Sequence, residues 1–599
     1  MTGRREVRRV GSRTENEERP STMSEDGTRR PLLPDEDRGE PGRLRSEFAP
    51  GSTRWAVRRA QWTAMGHALK DQGRPKIAVV NTSSKLSVCF AHLDGIADLV
   101  SEAIWEAGGL PLEIRTVAPS DFVTSAGRKA RYLMPTRDLI VNDVEAAVEG
   151  AVLDGMVCLS SCDKTTPAHL MASARLDIPS ILVVGGYQQG GRRAGCSVDI
   201  DTVYESVGAV KSGSMTTEEL GRLADSAIQG PGVCAGLATA NTMHVLAEAL
   251  GMTMPGSAPT RADSAPMRTK AAEAGARIVE MVASGLTARQ VLTREAIENA
   301  IEVALALGGS VNCVRHLAAV ANEADLGMDV VAAFEEKGRD AVQLAAIRPN
   351  GAHQVWDLDR VGGVRTVLRT LLPRLHRDAL TVSGETVGAL AERAPAADGE
   401  VLHRLEEPVN DEPGLLIMRG SLAPDGAIVK VAGAGTARRR FSGAANVFAT
   451  EEEAINALGE GEIRPGDVIV LRGMGPRGGP GTVFAASFVA ALNGAGLAGQ
   501  VAVVTDGELS GLNHGLVVGQ VMPEAADGGP LAGVRPGDTV SIDLDARLVD
   551  VSPLRNGTPV TAGRPDLERG WLGQYAALVG PVQQGAVLRR AAPQNTEDQ

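Results

Sequence analysis

The stretch Ser160-Ser161-Cys162-Asp163-Lys164-Thr165-Thr166-Pro167 places a thiol, a carboxylate and an amine on three successive residues. An apolar run at 156–159 leads into it and an apolar-periodic run at 168–176 leads out. That pattern predicts a strand, a tight loop and a helix. Pro167 suits the first helical position, where its missing N–H costs nothing, and Thr166 suits the cap before it. A thiol beside the positive end of a helix ionises more easily and becomes a metal ligand or a nucleophile. A capped turn with a solvated Asp-Lys pair is the competing reading.

Two further cysteines have a similar setting. Cys234 lies in Gly230-Pro231-Gly232-Val233-Cys234-Ala235-Gly236, ahead of a helical pattern at 235–250. Cys89 precedes the helical pattern at 92–107, which contains His92. Three thiols at three helix starts could converge on an iron–sulfur cluster. Close packing of small residues accounts for the same pattern, and both readings stay open at this point. Cys158 and Cys313 read as core, and Cys196 lies in a polar loop. With no CxxC pair among the six cysteines, a disulfide framework is not expected.

The elements that must position these groups alternate. Strands are expected at 76–81, 112–117, 156–159 and 180–186, and helices at 92–107, 137–152 and 168–176. This βαβ order predicts an α/β fold with a mostly parallel sheet. A helical extension follows, with helices at 218–228, 235–250, 265–283, 287–307 and 314–324. A break rich in Pro, Ala and Gly follows, and beyond it short strands dominate, at 415–418, 427–431, 439–441, 467–471, 501–504 and 539–544. The expected domains are a disordered tail at 1–45 and an N-terminal α/β domain at 46–385. A linker at 386–412 leads to a C-terminal β-rich, swivel-type domain at 413–590. A last helix at 571–578 is expected to pack back onto the first domain. Met23 lies inside the tail, so a later start is compatible with the pattern.

The chain has 599 residues and a formal net charge of −13, which argues against a general nucleic-acid binder. No apolar run reaches the length of a membrane span, and the first residues lack a signal-peptide core. A cytoplasmic protein is the expectation. Aromatics make up only 3% of the chain while glycine contributes 70 residues, a balance suited to close helix–sheet packing and Gly-rich loops.

The motifs together resemble the dihydroxy-acid dehydratase and sugar-acid dehydratase family. The matching stretches are Cys89-Phe90-Ala91-His92-Leu93, Ser161-Cys162-Asp163-Lys164-Thr165-Thr166-Pro167, Gly232-Val233-Cys234, Thr239-Ala240-Asn241-Thr242-Met243 and Gly308-Gly309-Ser310. Further along they are Gly478-Gly479-Pro480-Gly481, Thr505-Asp506-Gly507 and Met522-Pro523-Glu524-Ala525-Ala526. The resemblance implies that Cys89, Cys162 and Cys234 hold a 2Fe-2S cluster, although three cysteines could also hold a 4Fe-4S cluster. It implies that Asp121, Asp163 and Lys164, the last as a carbamate, bind Mg2+, and that Ser510 is the catalytic base. The implied reaction dehydrates a small-molecule 2,3-dihydroxy carboxylate to a 2-keto acid, of the kind used in branched-chain amino-acid synthesis. A sugar-acid (aldonate) dehydratase is the alternative, and a non-catalytic cluster-binding protein the second. A homodimer or homotetramer is implied, with no nucleic-acid or membrane partner.

The departures fall near the implied site. Phe484 stands where the family carries a magnesium-binding glutamate, and Glu508 where family members often have Arg. Residues 125–129, which include Arg128 and Lys129, replace a Gly-rich segment. Glu508 is therefore read as a candidate metal ligand that supplies the missing oxygen. A site rebuilt for an unusual substrate and a loss of activity are the competing explanations. His92 and His514 are candidate proton carriers or ordinary hydrogen-bonded histidines.

Overall fold

The computed structural model describes residues 43–117, 120, 123, 130–193, 195–211, 213–431, 439–479, 485–509, 515–561 and 569–589. The expected tail at 1–45 lies outside the described residues up to residue 42.

The N-terminal domain is built on four parallel strands, β1 (Lys76–Asn81), β2 (Leu110–Arg115), β3 (Gly155–Ser160) and β4 (Ser180–Val184), in the order β2-β1-β3-β4. Strands β1, β3 and β4 are buried along their whole length. A strand covered on both faces needs a continuous apolar run rather than an alternating one, and these sequences have it. The Leu93–Glu106 and Ala265–Ser284 helices pack together over this sheet. The Thr165–Leu176 helix is central, with all of its residues but Arg175 buried. It packs against the Leu133–Gly150, Thr239–Ala249 and Asn312–Glu323 helices. Arg175 escapes the apolar surroundings by pairing with Glu323 at 2.6 Å and Glu145 at 2.7 Å. A small hairpin, β5 (Gly191–Arg193) and β6 (Cys196–Val198), branches from the sheet's end.

The helical extension contains the expected helices, with the 235–250 one starting only at Thr239, further ones at Val330–Lys337, Val355–Arg360, Gly363–Thr370 and Val387–Glu392, and one break. The periodicity at 287–307 is not one helix but two, Ala288–Val291 and Arg294–Leu307. Thr293 stops the first and caps the second, its hydroxyl accepting from the Ala296 N–H at 3.3 Å.

The C-terminal domain holds an eight-stranded mixed sheet. Its strands are β7 (Leu415–Met418), β8 (Gly426–Lys430), β9 (Arg440–Phe448), β10 (Val468–Leu471), β11 (Ala502–Thr505), β12 (Leu516–Met522), β13 (Thr539–Asp543) and β14 (Leu548–Ser552). The order is β14-β13-β9-β10-β11-β12-β8-β7, with β9 to β12 parallel and the flanking pairs antiparallel. The two edges meet where the Arg419 and Val549 backbones bond across, so the sheet nearly closes on itself. Closure removes exposed edges. β12 and β14 are additional to the strands the pattern suggests. In β12, Gly519 and Gln520 interrupt the apolar run. The register shifts between Gly519 and Met522, and Gln520 takes a φ of 51°, which marks a bulge.

The Trp571–Leu578 helix returns to the first domain, where Tyr575 joins a small apolar cluster with Met134. Among the described residues no helix is long and apolar enough to cross a membrane.

Candidate functional site

Three loops meet at the end of the parallel sheet. The first follows β1 and carries Cys89; the second follows β3 and carries Cys162; the third is the 230–238 stretch with Cys234. Gly232 allows the third to approach: its φ is 111°, and a Cβ there would sit 2.6 Å from the Tyr187 carbonyl carbon. From that position the Gly232 N–H donates to Val88 O at 3.2 Å, and Val233 pairs with Gly186 and Gln188. Gly185 does the same for the second loop, since a Cβ there would lie 2.8 Å from the Ser161 side chain. Ser161 Oγ then donates to Cys89 O at 2.5 Å, tying the first two loops together.

The thiols of Cys89 and Cys162 are in direct contact. The hydrogen bond from Cys162, with help from Ser87 and Ser120, lowers the Cys89 thiol to about 6, against the opposing effect of burial. Cys162 itself is held with a φ of 68°, an uncommon conformation for a non-glycine residue. Cys234 is buried, and Asn241 fixes its backbone by donating to Cys234 O at 2.6 Å and Gly236 O at 3.0 Å. None of the three thiols stands at the first residue of a helix, contrary to the expectation. The helices begin at Leu93, Thr165 and Thr239, three to five residues beyond each cysteine. Thr165 closes its loop by accepting from the Ser161 N–H at 2.9 Å and bonding back to Ser161 O. The helix therefore starts two residues earlier than Pro167 suggests, with Lys164 as its boundary residue and Pro167 at its third position. The largest influence lowering the Cys89 thiol is the hydrogen bond from the neighbouring Cys162 thiol.

Next to Cys162, Lys164 Nζ lies 3.0 Å from Asp163 Oδ2 and 3.3 Å from Glu508 Oε2. Lys164 and Glu508 are fully buried, and Asp163 nearly so. Arg315, also fully buried, stands 3.6 Å from the other Glu508 oxygen. His316 faces the same charges. Burial, together with Lys164, Arg137 and Arg315, holds it well below its ordinary value and thus neutral. A run of four buried ionisable groups, two of each sign, is costly unless a function retains it.

A strut joins this cluster to the second domain. Thr239 and Ser310 bond through their hydroxyls at 2.8 Å, and the Ser310 N–H donates to Thr242 Oγ1 at 3.0 Å. Asn312 donates to Thr239 Oγ1 at 3.1 Å and to Leu509 O at 3.0 Å, and accepts from Gln520 Nε2 at 3.0 Å. Gln520 in turn anchors the loop through its own N–H, which donates to Gly507 O at 3.1 Å. Thr239, Thr242 and Ser310 of the Thr-Ala-Asn-Thr and Gly-Gly-Ser motifs thus help to hold the 507–509 segment through Asn312. Asp506 and Glu524 have a comparable role within the second domain. Asp506 accepts from the backbone of Gly473, Met474 and Ala525, and Glu524 from Arg477 and Gly478. Burial lifts the Glu524 carboxyl to about 8, with Asp506 adding to the effect.

Asp121, Phe484, Ser510 and His514 lie outside the described residues, as do Arg128 and Lys129. Of the other expected site residues, Cys89 and Cys162 come together, as do Asp163, Lys164 and Glu508. Cys234 stands on the adjoining loop, and among the described residues no three His, Cys, Asp or Glu side chains group at metal-holding distance. His92 donates from Nε2 to Gly185 O at 2.8 Å and is lowered by burial, so it serves as a loop tie. Cys158 and Cys313 are core: burial raises both thiols, Cys313 to about 12. Sequence reasoning missed Asn312, Arg315 and His316. Their spacing was the available signal, because polar residues at i, i+3 and i+4 on an otherwise apolar helix face point inward together.

A family model described as dihydroxy-acid/6-phosphogluconate dehydratase N-terminal matches residues 74–390, and its C-terminal counterpart matches 400–586. A protein of Ignicoccus hospitalis named dihydroxy-acid dehydratase is 42% identical over 91% of this chain and 98% of its own length. One of the same name from Pyrococcus furiosus is 42% identical over 91% of this chain and all of its own. Another, from a Nocardioides species, is 39% identical over 89% and 96%. With both halves matched and the motifs gathered at one end of the sheet, the chain belongs to the dihydroxy-acid/6-phosphogluconate dehydratase family.

Proposed function

We propose that the chain is a hydro-lyase that dehydrates a 2,3-dihydroxy carboxylate to a 2-keto acid, the activity named in its dihydroxy-acid dehydratase relatives. The observation that carries this reading is the buried turn in which Cys162 touches the Cys89 thiol while Lys164 contacts both Asp163 and Glu508. In the reaction, the bond from carbon 2 to hydrogen and the bond from carbon 3 to its hydroxyl both break. The proton goes to a base and the hydroxyl leaves as water. The resulting enol rearranges to the keto acid with no net oxidation or reduction.

The residues fit the cofactors that the family implies. Cys89, whose thiol is already acidic, and Cys162 and Cys234 would hold an iron–sulfur cluster, of the 2Fe-2S or 4Fe-4S type. Asp163 and Lys164, with Asp121, would hold Mg2+, Lys164 contributing oxygen as a carbamate formed from its amine and CO2. When bound, these groups supply Lewis acidity to the departing hydroxyl and anchor the substrate carboxylate. The chain's own part is to keep the site buried and fixed. The Thr165 and Ser161 bonds lock the Cys162 turn, and neutral His316 withholds a further positive charge. Asn312 and Gln520 hold the segment that leads into Ser510, the proposed base for the carbon-2 proton. A cytoplasmic homodimer or homotetramer completes the reading.

The test is keto-acid formation from 2,3-dihydroxyisovalerate against arabinonate, xylonate and gluconate, with Ser510→Ala as control. Turnover of the branched-chain substrate that disappears in the variant is expected. Turnover of aldonates alone would transfer the assignment to sugar-acid dehydration, and none at all would leave a cluster-binding protein.

A further inference from the structure

Glu508 presents an unusual combination. Its carboxylate is fully buried, yet neither oxygen accepts a hydrogen bond. Its neighbours are cations at 3.3 Å and 3.6 Å, Lys164 Nζ and the Arg315 guanidinium. Close charge-assisted bonds are shorter, at about 2.7 to 2.9 Å. The carboxylate is therefore aimed at Lys164, which also contacts Asp163, without being tightly engaged by either cation. Asp506 shows what a structural carboxylate looks like in the same loop: it accepts three backbone N–H bonds.

We propose that Glu508 is an oxygen ligand to the divalent cation held by Asp163, so that the C-terminal domain completes a half-site built by the N-terminal one. This rests on the reading above for the presence of that cation. Charge supports it. With Lys164 as an amine, Lys164 and Arg315 offset Asp163 and Glu508. With Lys164 as a carbamate, at least three anions face Arg315 alone, an excess of negative charge that a divalent cation offsets. Oxygen donors on a small cage of this kind suit Mg2+. Glu508 also takes over a function this sequence lacks elsewhere, since Phe484 offers no oxygen where the resembling family has its glutamate. Arg315 is then a positioning residue that holds Glu508 in line. Because Glu508 and Asp163 come from different domains, the cation also fastens one domain to the other.

The test uses the full chain with its cluster intact, chelated and then titrated with Mn2+ in bicarbonate buffer while free Mn2+ is followed by EPR. One Mn2+ per chain, displaced by Mg2+, is expected. Glu508→Gln should weaken it at least tenfold and abolish the rise in melting temperature that Mn2+ gives the native chain. Glu508→Asp, which keeps the charge but shortens the reach, should lie between, and it carries the comparison if Glu508→Gln does not fold. A merely structural carboxylate would lower the melting temperature in both variants and leave Mn2+ affinity unchanged. That result, or a native chain that binds no Mn2+, overturns the assignment. Keto-acid assays run in parallel separate the two proposals. Turnover with Mn2+ binding indifferent to Glu508 removes only the ligand. Glu508-dependent Mn2+ binding without turnover of any dihydroxy acid removes only the activity.

Discussion

Removing the Asn312 side chain tests whether the strut between the domains positions chemistry or merely adds stability. Asn312→Ala deletes two donated bonds, to Thr239 Oγ1 and Leu509 O, and one accepted from Gln520 Nε2. Each such bond contributes about 0.5 to 1.5 kcal/mol net, and a buried group left without a partner costs about 1 to 3 kcal/mol. Gln520 Nε2 keeps a bond to Val311 O at 3.2 Å, so the Leu509 carbonyl bears most of the penalty. The expected loss is about 2 to 4 kcal/mol of stability, read by urea denaturation at equal iron content. Activity should suffer separately, because Leu509 is the residue before Ser510. A displacement there should reduce kcat about 10- to 100-fold with KM little changed, since misplacing a reacting group by about 1 Å costs on that order. Asn312→Asp, which keeps the shape but removes the donors, should show the same split. A variant that loses the predicted stability yet retains native kcat would refute the positioning argument.

Other expectations follow from the buried ionisable groups. Cys89→Ser should reduce iron bound per chain at least severalfold, whereas Cys158→Ser, which alters a thiol that burial keeps protonated, should leave it unchanged; iron and sulfide analysis with absorption spectra distinguishes the two. Glu524 rises from an ordinary 4.5 to about 8 on folding, so the fold favours its neutral form and loses stability as pH climbs through that window. Glu524→Gln lacks that dependence, and its stability relative to the native chain should increase between pH 5.5 and 7.5 by up to about 1.4 kcal/mol per unit. A pH-independent difference in urea midpoints would count against it.

How far the sequence announced this arrangement depends on the kind of signal. β1 and the Trp571–Leu578 helix run where the residue pattern places them, because a buried parallel strand and an amphipathic helix write their periods locally. The Cys162-Asp163-Lys164 turn was equally legible, since the chemistry sits on adjacent residues. Helix starts were not. Thr165 begins its helix early by bonding back to Ser161, a contact that no hydrophobic period records. Strand β12 was obscured because its bulge at Gln520 puts a polar residue into an apolar run, and that residue faces Asn312 some 200 positions away in sequence. Arg315 was hidden for the same reason. A charge inside an apolar helix can only be understood once its partner, Glu508, arrives from the other domain.

That dependence on distant partners also explains why the departures cluster where they do. The 507–509 segment is held through Gly507 by Gln520, through Leu509 by Asn312, and through Glu508 O by the Ala485 N–H at 3.4 Å. Its backbone is thus fixed by groups that do not depend on the side chain at 508. A substitution there can exchange one charge for another without disturbing the proposed base two residues on, provided the opposite wall is balanced. Lys164 and Arg315 form that wall, and both lie within reach of the carboxylate. The backbone is the fixed part and the side chain at 508 the adjustable one. Metal affinity can therefore be retuned on the second domain while the thiol turn, on the first, stays as it is.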